Sequence, residues 1–221
     1  MNIRILNVAA LTLVTLSGSA QAGNILANGN FGTGDLTGWT TGGTYASNPI
    51  AAIATDGTTG SAYGEAIPRD ALTAGSPDLG VGYAAYFVDD SATNQFLSQN
   101  VALTVGNYEV GFDLYVPFNG AKNANDATLS AAIAGTTLFS AVAASTLTPG
   151  VWTHYSGIAN ILSNGKFVTE FDFNSFGAPA KDFLVDRAYI VAAAPVGVPE
   201  PASMAVLGTA LAGFGVLRRR R

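Results

Sequence analysis

The chain has 221 residues, no cysteine, a single histidine and a formal net charge of −5. Without cysteine there is no thiol catalysis, cysteine-ligated zinc or iron–sulfur cluster, and one histidine cannot supply the paired ligands of a His-Glu metalloprotease. The middle of the chain, residues 23–197, carries five basic residues (Arg69, Lys122, Lys166, Lys181, Arg187) against fourteen acidic ones, a net charge of −9 that repels phosphate backbones, so no nucleic-acid partner is expected.

At the N-terminus Arg4 gives a short positive region, Ile5 to Leu16 an apolar run, and Ala20-Gln21-Ala22 a small-residue pattern before Gly23. These three parts in order predict a signal peptide helix over residues 1–22, cut between Ala22 and Gly23 and delivered through the Sec translocase. Residues 23–194 then form one domain, of a size that buries a core without disulfides.

Along that domain the hydrophobic period is two. In "YEVGFDLYV" Tyr108, Val110, Phe112, Leu114 and Val116 share one face while Glu109, Gly111, Asp113 and Tyr115 share the other, which predicts a half-buried strand. Phe167, Thr169, Phe171 and Phe173 alternate in the same way with Lys166, Glu170, Asp172 and Asn174. Further strands are expected over 83–88, 95–103, 127–133, 137–143, 152–159 and 183–191, separated by turn residues such as Pro149-Gly150 and Asn164-Gly165. Short strands at this spacing, with no amphipathic helix and no internal repeat, predict an all-β fold, an antiparallel jelly-roll-type β-sandwich.

Little in it suggests catalysis. His154 lies in an expected strand with no Gly-x-Ser-x-Gly elbow, and the adjacent Asp89 and Asp90 point to opposite faces of a strand or sit in a solvated turn. A non-enzyme is expected, with a carboxylate-based polysaccharide hydrolase as the lesser alternative. Trp39, Tyr63, Tyr83 and Tyr86 offer faces for a sugar ring; the other reading of Trp39 is a plug at the end of the sandwich.

The C-terminus reads "VPEPASMAVLGTALAGFGVLRRRR". A linker over 195–201 holds Pro199 and Pro201, which keep the backbone extended. Residues 202–217 are uncharged and as a helix span about 24 Å, short of a hydrocarbon core of about 30 Å, but Arg218, Arg219, Arg220 and Arg221 lengthen the span by snorkelling and mark the cytoplasmic side. A single transmembrane helix is therefore expected, with the domain outside.

Val198, Pro199, Glu200 and Pro201, the apolar run and the terminal arginines together resemble the PEP-CTERM sorting signal of Gram-negative bacteria. The resemblance implies recognition by a membrane-embedded exosortase, anchoring in the inner membrane with the domain in the periplasm, then transfer to the cell surface or extracellular matrix, where exopolysaccharide is the expected associate. "NILANGNFGTGDLTGW", "FLSQNVALTVGNYEVGFDLYV" and "FLVDRAYI" resemble, in that order, the first strand and turn, the paired central strands and the last strand of galactose-binding-like carbohydrate-binding modules. That likeness implies a glycan ligand as the alternative function. It also implies a structural calcium, here through Asn28, Asn30, Asp35 and Asp186, although Gly32 stands where a glutamate ligand is expected. Asp186 shares a period-two row with Leu184, Ala188 and Ile190, so without calcium it must accept backbone or arginine bonds near the sheet edge.

Overall fold

In the computed structural model, which describes residues 23–57, 65–69 and 82–193, alternation of apolar and polar side chains produces ten strands. These are β1 (Thr40–Thr44), β2 (Ala51–Ala54), β3 (Tyr83–Phe87), β4 (Thr93–Leu103), β5 (Gly106–Tyr115), β6 (Thr128–Ile133), β7 (Thr136–Ala143), β8 (Thr153–Ile161), β9 (Gly165–Asn174) and β10 (Phe183–Ala192). They form two five-stranded antiparallel sheets, ordered β1-β4-β9-β6-β7 and β2-β3-β10-β5-β8. Two sheets facing each other over one apolar layer make the β-sandwich that period two anticipates.

The shared layer is aromatic at its centre. Phe171 of β9 meets Phe112 of β5 edge-on at 5.0 Å, and Phe112 packs against Phe139 and Tyr155. Phe31 and Phe171 flank Trp39, which is buried and whose Nε1 donates to the carbonyl of Asn28. Trp39 is thus buried, and its faces touch protein.

Four expectations change. The turn after Leu103 carries the chain from one sheet to the other, so β4 and β5 do not pair with each other: β4 pairs with β1 and β9, β5 with β10 and β8. The opening segment before Thr40 is a run of turns and bends with no strand. Side-chain amides supplement two backbone bonds to β10 there, Ile25 N–H to Ile190 O and Ala188 N–H to Gly29 O: Gln99 grips both the N–H and the carbonyl of Ala27, and Asn24 bonds Ala188 and Ile190. Third, β5 is buried on both faces beyond Gly111, because Ile67 and Trp152 pack with Tyr115 over the outer side of its sheet. Fourth, β10 is the central strand of its sheet, and its pairing with β5 slips between Asp186 and Tyr189, where Arg187 adopts a φ of 50°. The slip puts Ala188 and Ile190 in the core and leaves Leu184 and Asp186 on the outer face.

Among the described residues no helix is long and apolar enough to cross a membrane. The expected signal peptide with Ala20 and Ala22, the sorting residues Val198 to Pro201, the transmembrane helix, Arg218 to Arg221, and Tyr63 all lie outside the described residues.

Replacing Phe171 by Ala removes the ring that joins Trp39 to Phe112 and should lower the unfolding free energy by about 3–5 kcal/mol in urea titrations. A loss below about 1 kcal/mol would mean that the rings do not form one core.

Candidate functional site

The outer face of the β2-β3-β10-β5-β8 sheet carries a polar pocket of about 510 Å³ at the end where β10 begins. Tyr86 of β3 and Asp182, just before β10, form its base, and Asn48, Asp90, Asn119, Lys122 and Asn123 come from three loops around it. Tyr86 Oη donates to Asp182 Oδ2 at 2.7 Å. Asp182 is 4% exposed, and among the described residues its Oδ1 has no hydrogen-bond partner. Burial raises its carboxyl to about 7 against the opposing bond from Tyr86, with Asp90 and Glu65 adding to the rise.

The loops around this base are clamped rather than loose. Residue 120 must be glycine, since a Cβ there would lie 2.5 Å from Asp182 Oδ2, and this close approach lets the short 3-10 turn Gly120–Lys122 sit on the carboxylate. Asn123 donates to the carbonyl of Ala180, and Lys181 Nζ to that of Asn123. Glu65 Oε2 accepts the N–H of Asn119, which fixes the strap 65–69 to the same loop, and Trp152 Nε1 bonds Pro68 O.

On the opposite rim Asp89 is buried, not solvated, and accepts backbone N–H groups of Ala46, Ser47, Asn48 and Ser91 and the Ser91 hydroxyl. Burial alone would raise its carboxyl, but the bonds from Ser91, Ser47 and Asn48 outweigh it and hold the group well below the usual range. Gln95 Nε2 donates to Asn48 O, so Asn48 is presented to the pocket by a fixed backbone.

Beyond the pocket, on the same outer face, lies a second polar group. His154 Nδ1 is 2.6 Å from Asp113 Oδ1, and Arg187 Nη1 is 3.3 Å from Asp113 Oδ2. Tyr189 lies parallel to the His154 ring at 6.0 Å and donates to Glu109. Burial, reinforced by Glu109, pushes the Tyr189 hydroxyl up, so it remains a neutral donor. Asp113 thus bridges His154 to Arg187, whose side chain is fully buried.

The residues named from sequence scatter. Tyr86 is in the pocket, whereas Tyr83 faces the core side of β3 beside Gly34. Asn28, Asn30 and Asp35 do share one turn. There the Asn28 amide donates to the carbonyls of Asp35 and Thr37, and its oxygen accepts Thr33 N–H. Asp35 Oδ1 accepts the Thr33 hydroxyl and the Thr37 N–H, which hold its carboxyl below the usual range. Asp186, on β10, accepts the N–H of Arg187, the backbone alternative of its two readings. One oxygen of each residue expected on a calcium thus accepts a protein N–H or O–H, and among the described residues no three His, Cys, Asp or Glu side chains converge as metal ligands. Asp182, Asn48, Asn119 and Asn123 escaped sequence reading because they lie far apart in the chain and form no motif, and Asp90 was weighed only as the neighbour of Asp89; the Gly120 contact marks the place locally.

Comparison with known proteins bears on the two halves differently. Residues 197–221 match the PEP-CTERM protein-sorting motif, and that motif implies an exported, membrane-anchored passenger sorted by exosortase. No curated protein matches the chain. Among solved structures the chain is similar to TmCBM61 in complex with beta-1,4-galactotriose, at 19% identity over 76% of this chain and 98% of that one, TM-score 0.48. It is similar also to the CBM22-1 xylan-binding domain from Paenibacillus barcinonensis, at 14% identity over 80% and 100%, TM-score 0.46. A third is the enzymatically active domain of bacteriophage CBA120 tailspike protein 4, at 12% identity over 76% and 21%, TM-score 0.46.

The raised Asp182 carboxyl has a signed consequence. Its folded value, about 7, lies above the unfolded value near 3.8, so the folded state holds the proton more tightly and stability falls as pH rises between those values. Asp182→Asn keeps an acceptor for Tyr86 without the charge. It should match the parent near pH 4 and exceed it at pH 8 by an amount on the order of 3–4 kcal/mol, read by urea denaturation at the two pH values. Equal stability of the two proteins at pH 8 would show that Asp182 is not held in a low-dielectric site.

Proposed function

We propose that this chain is an exported, non-enzymatic surface or matrix protein, handled by exosortase at Val198 to Pro201, whose sandwich holds a neutral glycan in the Asp182 pocket. The observation that carries the reading is the lining itself. Three amide side chains, a phenol, two carboxylates and one ammonium converge on one open pocket. Amides and carboxylates pair their donors and acceptors with the vicinal hydroxyls of a sugar, and a cavity of this size admits a few sugar units. Carboxylates at the base, in an acidic protein, disfavour phosphate and uronate ligands.

One feature favours a second reading, hydrolysis: a carboxyl raised to about 7 beside a second acid, Asp90, is the pairing a glycosidase uses. Against it, Asp182 Oδ2 already accepts the Tyr86 hydroxyl and the carboxyl is almost wholly buried at the base of the pocket, where a general acid needs an open approach to the glycosidic oxygen. Binding without turnover is the better account. This reading does not call on calcium; the oxygens of Asn28, Asp35 and Asp186 each accept a protein donor.

A glycan array and a pull-down with the host's own exopolysaccharide test the proposal. Asn119→Ala, which leaves the backbone bond to Glu65 intact, should weaken glycan affinity about tenfold with unchanged stability. Trp39→Ala should instead lower stability. Blank arrays and pull-down would remove glycan binding, and release of shortened oligosaccharides, abolished by Asp182→Asn, would replace binding by hydrolysis.

A further inference from the structure

Strand β10 runs from one pole of the sandwich to the other. Phe183 pairs with Phe87 next to the Asp182 pocket, while Ala192 pairs with Tyr108 and the N–H of Ala193 donates to Asn107. Ten residues at about 3.3 Å each put the pocket pole and the exit pole roughly 33 Å apart. The sorting motif is matched from residue 197, only three residues after the one following Ala193, so whatever the tag is attached to holds the exit pole close. From Ala193 to the start of the uncharged run at Ala202 the chain reaches at most about 32 Å.

The exit pole differs in chemistry from the rest of the surface. The β4–β5 and β8–β9 turns are joined there by a bond from Val105 N–H to Asn164 Oδ1, and they expose Val105 (63%) and Leu162 (82%) at the same pole. Residues 101–108 and 161–169 contain no acidic residue, and their one charge is Lys166, in a domain with fourteen acids. The pocket pole exposes Phe118 and Phe176 as well, but with Asp90, Asp126 and Glu65, beside Lys122 and Lys181, on the loops around them.

We propose that, while the chain carries its tag, the exit pole rests on the lipid surface with Leu162 and Val105 in the boundary between headgroups and acyl chains, and the pocket points away from the membrane. This rests on reading the tag as the membrane anchor. Two apolar tips bind a bilayer weakly by themselves; tethering supplies the effective concentration that makes weak insertion sufficient. The lack of carboxylates on the two turns matters because anionic lipids repel an acidic surface within a Debye length, and Lys166 is attracted by them; the first acid beyond the β4–β5 turn, Glu109, lies within β5 and accepts the Tyr189 hydroxyl.

Because the chain has no cysteine, a single introduced one is a unique label site. The full chain with Leu162→Cys or Phe176→Cys, carrying an environment-sensitive fluorophore, is reconstituted into vesicles of phosphatidylethanolamine and phosphatidylglycerol. Label at position 162 should be blue-shifted and quenched by brominated acyl chains at least about twofold more than label at 176, and Val105→Asp should reduce that quenching. Equal quenching at the two positions on vesicle-bound chain overturns the proposal and leaves the anchor reading standing. Chain that does not stay with the vesicles overturns both.

Discussion

Burial of β10 on both faces is the constraint from which the rest follows. Nine of its ten residues are buried, so the strand cannot twist out, shift register or fray without uncovering Phe183, Val185 and Ile190 on one side and Leu184 and Tyr189 on the other. A fixed strand fixes what lies at its ends. Asp182 is held at the base of the pocket at one end, and the polypeptide leaves toward the sorting motif at the other. In the middle, the slip at Arg187 delivers a guanidinium to Asp113, which is tolerated inside a sheet because Asp113 and its neighbour His154 complete the network.

Polar side chains do structural work that strands do elsewhere. Gln99 and Asn24 help hold the opening segment by mimicking ladder partners, and Asp89 gathers four N–H groups to set the loop that carries Asn48. The two buried acids near the pocket have opposite electrostatics for one reason. Asp89 has donors enough to offset its burial and stays ionised; Asp182 has a single phenol and neighbours of like charge, and is raised. Stability bound up in Asp89 is thus lost as pH falls below the carboxylate range, while Asp182 opposes folding as pH rises toward 7.

Strands with a long alternating row were legible in the sequence: β4, β5 and β9 were readable because half of each row meets the other sheet and half does not. β1 and β2, with sequences TTGGT and AAIA, were not, since so short and small-sided a segment becomes a strand only by pairing with β4 or β3. Period two also assumes an unbroken strand. At Arg187 that assumption fails, and Asp186 moves from the row of Ala188 and Ile190 to the outer face. The second covering of β5 was hidden because its cover, Ile67, comes from the long connection between β2 and β3 and has no periodic signal. Of the aromatic residues weighed as sugar platforms, the surroundings were set by neighbours distant in sequence: Trp39 lies between two rings, and Tyr86 bonds Asp182.

The destination of the chain is written in its last residues and the chemistry of its surface in the loops at the far end of β10; one rigid strand relates the two. Amide hydrogen exchange on the full chain, followed residue by residue, examines that strand most directly. The amides of Val185 to Ile190 should be the slowest in the molecule, exchanging only with global unfolding and more slowly than those of the edge strands β1 and β7. Exchange of β10 as fast as the edges would contradict it, since the pocket and the exit of the chain would then have no common rigid element between them.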